Sequence, residues 1–149
     1  MWTLWLALSS ASDLDAVVAA LSVRELSEPC DAAAAVVDPG ALPALLVRAA
    51  DEVAYPPWVG VRAAECATAH VADPDVDRAV RRWIDDPATP GLALAVLAGL
   101  DRVPGQVARP LAERLVVRGA ADPRVAVRLP ERLRSSRHPE IVALAPPLR

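Results

Sequence analysis

Three arginines, Arg124, Arg128 and Arg132, recur every four residues in the stretch ADPRVAVRLPERLRSS, the spacing that aligns side chains along one face of a helix. Guanidinium groups lined up in this way repel one another mildly and offer forked donors to carboxylates or phosphates. The same spacing also suits a solvated face that holds no ligand. Arg78, Arg81 and Arg82 form a smaller cluster beside Trp83, whose apolar bulk assigns it to the core rather than to a contact surface. These six arginines are the candidate partner-binding residues. No catalytic residue, metal ligand or cofactor is read from the chain.

Other chemistry lacks its residues. His70 and His138 stand alone, and neither C-x-x-C nor H-E-x-x-H occurs, so no zinc site is expected. The six glycines are too scattered to build a phosphate cradle, and the strand-turn-helix pattern of a nucleophilic serine is missing. Asp51-Glu52 and Asp85-Asp86 are adjacent carboxylates, but neighbouring positions on a helix do not face each other. Cys30 and Cys66 read as buried apolar residues. Aligning AAAA at 32–35 with AAEC at 63–66 separates the thiols by about five residues, or about 7.5 Å along a helix axis. Adding the lateral spacing of two helices makes a disulfide unexpected.

Charge is unevenly distributed. Residues 1–74 hold 3 Arg and 10 acidic residues, a net of −7, whereas residues 75–149 hold 13 Arg and 9 acidic residues, a net of +4. The overall charge of −3 speaks against duplex DNA as a partner. Opposite charges on the two halves would also permit head-to-tail homo-oligomers. The longest apolar run, GLALAVLAGL, falls well short of the roughly 18 residues of a membrane span and reads as a buried helix.

The elements that must position these residues are helices. Of the 149 residues 54% are hydrophobic, with 31 alanines and no phenylalanine, and no sustained apolar-polar alternation supports a strand. Fifteen prolines punctuate the chain at intervals, several as Asp38-Pro39, Asp73-Pro74, Asp86-Pro87 and Asp122-Pro123, which read as N-cap plus first helical residue. These marks predict helices at 13–22, 28–37, 40–53, 57–70, 74–85, 89–100, 105–118, 123–135 and 139–147. Every second helix starts about 27 to 34 residues after the last, a period that points to stacked helical hairpins.

The segments DPGALPALLVRAADE and VGVRAAECATA resemble the two helices of a HEAT repeat, particularly the short bacterial, phycobilisome-lyase-like type. The resemblance places Pro43 within the first turn of its helix. Further along, VARPLAERLVV again carries an early proline, Pro110, and Pro130 should kink or split the helix that holds the arginine stripe. The likeness covers residues 12–147, weakens after the first repeat, and implies an α-α superhelix of about four and a half hairpins. Some HEAT-like proteins are DNA glycosylases and others act on bilins, but fold does not confer activity. The expected function is a non-enzymatic scaffold or interaction module that binds a partner protein or an acidic segment on one solenoid face. The alternatives are a HEAT-like lyase or chaperone for a bound chromophore or small molecule, and a structural subunit that stacks head to tail. Residues 1–11, MWTLWLALSSA, stand outside the array as a capping helix with Trp2 and Trp5 on one face, or as a signal peptide. The cap implies a cytoplasmic protein and is slightly preferred; the signal peptide implies export.

Overall fold

Helices account for all the regular structure in the computed structural model, which describes residues 13–148, and no strand occurs among the described residues. Residues 13–22 are helical (α1). They are followed by α2 (Pro29–Ala34), α3 (Leu42–Glu52), α4 (Pro57–Thr68), α5 (Pro74–Asp85) and α6 (Pro90–Gly99), and then by a 3-10 turn at Leu100–Arg102. The chain continues with α7 (Gly105–Ala121), α8 (Pro123–Ala126), α9 (Leu129–Arg134) and α10 (Pro139–Val142). The expected cap or signal peptide at residues 1–11 lies outside the described residues.

Proline starts most of these helices. It occupies the first or second position of α2 to α6 and of α8 to α10, where its missing N–H has no intrahelical partner to lose. Pro43 is accordingly the second residue of α3. Pro110 instead lies inside α7, because that helix begins at Gly105. Two of the four Asp-Pro pairs cap as expected: the Asp73 carboxylate accepts from the Asp75 N–H and the Asp122 carboxylate from the Arg124 N–H, each at 2.9 Å. Asp38 and Asp86 close tight turns instead, accepting from the Gly40 and Ala88 N–H groups, and their helices begin a few residues later. Pro130 splits the expected 123–135 helix into α8 and α9.

Packing runs mostly between sequence neighbours and next-but-one helices: α4 lies on α3 and α6, α3 on α5, α5 on α7 and α6 on α8, while α6 also meets α9 and α7 meets α10. Cross-links at the helix ends follow the same step. Asp51 at the end of α3 accepts from Arg82 of α5 at 2.7 and 3.0 Å, and Asp85 at the end of α5 pairs with Arg114 of α7. These pairs are half-exposed and contribute little individually. The core supplies the stability, centred on fully buried Trp83, Ile84, Leu100, Leu111 and Leu115.

One close approach fixes the α4–α6 crossing. A Cβ placed on Gly99 would collide with the Glu65 carbonyl oxygen and stand 2.7 Å from the Cβ of buried Thr68. Gly99→Ala is therefore expected to destabilise by about 1–3 kcal/mol through overpacking. In an open helix the same change would stabilise by about 1 kcal/mol. The sign of the shift in a urea melt thus reads the crossing directly, and a stabilised variant would show that the two helices are not pressed together there.

The cysteines correct the sequence reading. Cys30 and Cys66 form a disulfide with a Cα–Cα distance of 5.3 Å, and Cys66 is only 2% exposed. The expected separation assumed that α2 and α4 run side by side in the same register. Cys30 instead stands at the start of α2 against Cys66 in the last turn of α4. Elsewhere α4 also holds the end of α1. Arg62 donates to the Leu21, Val23 and Arg24 carbonyls at 2.6 to 3.1 Å, and the Trp58 indole donates to the Ser22 carbonyl at 3.2 Å. A cation and an N–H thus satisfy carbonyls that a helix C-terminus leaves without intrahelical partners.

Candidate functional site: a groove on α4, α6 and α9

The arginine stripe does not lie on one helix. Asp122-Pro123 starts α8, which Val125 anchors in the core. Pro130 has no N–H to bond back to Ala126, and the chain turns at 127–128 before restarting as α9, anchored by buried Leu129 and Leu133. Gly119 of α7 leaves the space that the Leu129 side chain fills. The break separates the fates of the three arginines.

Arg124 is engaged within the molecule, with its guanidinium on the Asp122 carboxylate at 3.0 and 3.1 Å and on the Pro87 carbonyl at 2.7 Å. Arg128 and Arg132, one helical turn apart, line a groove against α4 and α6, and their guanidinium groups have no hydrogen-bond or ion-pair partner among the described residues. The groove floor is Val61, Gly91, Leu94 and Ala98. Three contiguous recesses of about 220, 250 and 410 Å³ share Arg132 as a common wall. Glu65, Asp101, Ser135 and Ser136 close one end. That end is well fixed: Asp101 accepts from the Ser136 hydroxyl at 2.9 Å and from the Arg137 N–H at 3.0 Å, and His138 Nε2 lies 2.9 Å from the Leu100 carbonyl oxygen.

The second arginine cluster lies elsewhere, on α5. Arg78 pairs with Asp75 at 3.1 Å and Arg81 with Asp77 at 3.0 Å, both as exposed pairs within the helix. Arg82 holds Asp51, which also accepts from the indole of fully buried Trp83 at 2.8 Å. The expected core role of Trp83 is therefore what the structure has. Of the six candidate arginines, the structure brings two together on the groove and commits four to partners within the chain. Sequence reasoning missed the floor. The run GLALAVLAGL reads as wholly buried, yet Gly91, Leu94 and Ala98, three and four residues apart, bring one side of α6 to the surface.

The carboxylates that order this region are held ionised. The Arg124 side-chain bond, against an opposing effect of burial and aided by the Arg124 N–H and by Arg118, lowers the Asp122 pKa to about 2. Burial pushes Asp51 up, but the bonds from Arg82 and Trp83 outweigh it and leave its pKa lowered. The Arg114 side-chain bond lowers Asp85. Because the native pKa values lie below the unfolded value of about 3.9, the stability these groups contribute is complete above about pH 4 and is lost as pH falls toward 2. The denaturation midpoint is expected to fall across that window. Asp122→Asn, which preserves a capping oxygen, should flatten the slope; an unchanged slope would mean that Asp122 is not held in its ion pairs.

Among the described residues, no group of three or more His, Cys, Asp or Glu side chains could hold a metal ion, and no helix is long and apolar enough to cross a membrane. No family model matches this chain, and comparison with curated proteins and with solved structures finds no significant match.

Proposed function

We propose that this chain is a HEAT-like α-solenoid interaction module whose α4–α6–α9 groove receives an acidic, aliphatic segment of a partner protein. The observation that carries the reading is the pair Arg128 and Arg132, whose guanidinium groups have no partner among the described residues and are set over an apolar floor. Guanidinium groups beside a low-dielectric wall bind carboxylates through forked, charge-assisted bonds, while Val61, 40% exposed, and Leu94 offer apolar contact. The next-but-one helix contacts and the Asp51–Arg82 and Asp85–Arg114 cross-links support the solenoid arrangement. The Cys30–Cys66 bridge favours an oxidising compartment, and with it the exported alternative over the cytoplasmic one.

A synthetic peptide of alternating Glu and Leu is the probe. Arg128→Ser with Arg132→Ser should weaken its binding about tenfold or more in calorimetric titration, at unchanged helicity and melting temperature. Arg124→Ser should do the reverse, lowering stability because it removes the Asp122 and Pro87 bonds, with little effect on binding. Equal peptide affinity in wild type and the double variant would overturn the reading.

A further inference from the structure

We propose that the acidic partner of the groove is the acidic segment 13–38 of a second copy of this chain, so that molecules self-associate. The inference rests on the groove reading above and adds the identity of the occupant.

Internal ion pairing leaves a residue of charge that is sorted by position. Through the middle of the molecule the carboxylates are largely spent on neighbouring arginines, in the pairs of Glu52, Asp51, Glu65, Asp75, Asp77, Asp85, Glu113 and Asp122. Residues 13–38 hold six acids and one arginine, a net of −5. Asp15, Glu25, Glu28, Asp31 and Asp38 are exposed there, and none has an ion-pair partner among the described residues. Residues 123–148 hold five arginines and two glutamates, a net of +3, with Arg128, Arg132 and Arg137 lacking ion pairs among the described residues. Glu131 and Glu140 are the acids that offset them.

The two unspent charges are carried by different residues of the surface. The segment of α1 and α2 is fastened to α4 by the disulfide and by Arg62 and Trp58, whereas Arg128 and Arg132 enter the groove from the start of α9 and from within it. The bridge keeps the acidic segment in place as a preformed ligand, which lowers the ordering cost of docking. Because the acidic surface and the groove are different patches, each contact pairs unlike surfaces, and it either repeats from copy to copy or is made twice in a reciprocal two-fold dimer.

Analytical ultracentrifugation tests this. Wild type should self-associate at about 0.01 M salt and dissociate by about 0.5 M, as screening shortens the reach of the charges. Arg128→Ser with Arg132→Ser blocks one end, and Glu25→Gln, Glu28→Gln and Asp31→Asn block the other. Each variant alone should be monomeric with unchanged helicity, and an equal mixture should give one-to-one dimers and nothing larger, because one intact contact remains. A monomeric wild type at low salt would overturn the proposal. If that monomer still bound the Glu-Leu peptide through Arg128 and Arg132, only the second-copy inference would fall. If it did not bind the peptide, the groove reading would fall with it. Association that persists unchanged in both variants would likewise overturn the charge-paired contact.

Discussion

Trp83→Ala is expected to cost about 3–5 kcal/mol, moving the melting temperature down by about 10 °C. The indole is fully buried at the end of α5, and its Nε1 donates at 2.8 Å to Asp51, which also holds Arg82. Truncation thus leaves a cavity where the core contains no other aromatic side chain among the described residues, and it removes a donor from a partly buried carboxylate. The rest of the buried core is almost wholly Ala, Val, Leu and Ile. Trp83→Phe separates the two effects: it keeps most of the volume and loses the N–H, and about 1–2 kcal/mol is expected. Urea melts of the two variants check both values, and an alanine variant that melts within about 1 kcal/mol of wild type would show that Trp83 does not fill the core.

Removing the Cys30–Cys66 bridge, by reduction or by Cys30→Ala with Cys66→Ala, is expected to cost about 4 kcal/mol. The bond spans 36 residues, and chain-entropy arguments give that order of magnitude for a loop of this length. The loss should be uneven. α2 is only six residues long, with Ala33 as its one buried residue and α4 as its main support. A helix this short does not persist in water without tertiary support. Amide exchange should therefore accelerate first in residues 29–34, while α5 to α7 remain protected until global unfolding. Reduction that leaves both the melting curve and α2 exchange unchanged would show that the bridge adds nothing to the fold.

Helix starts were legible because proline and aspartate encode them chemically: Pro74 and Pro123, each preceded by Asp, mark helix starts to the residue. The splitting effect of Pro130 was legible because a helix running on from Pro123 would need an N–H at position 130 to bond back to Ala126, although α7 runs on past Pro110. The cysteine pairing was not legible, because it depends on how α2 crosses α4, and local spacing carries no information about crossing. The arginine stripe was legible as a spacing but not as a surface. Once α8 and α9 separate, Arg124 falls to Asp122 and Pro87 while Arg128 and Arg132 reach the groove. The floor was hidden for a different reason: α6 is apolar on all sides, so no polar stripe marks the side that meets solvent.

Backbone amide shift mapping during titration with the Glu-Leu peptide tests the groove most directly. The largest changes are expected at Arg128 and Arg132 and across the floor at Val61, Leu94 and Ala98, with α5 unperturbed. Changes confined to Arg78 and Arg81, or no change at saturating peptide, would contradict the assignment of the groove as the carboxylate-binding face.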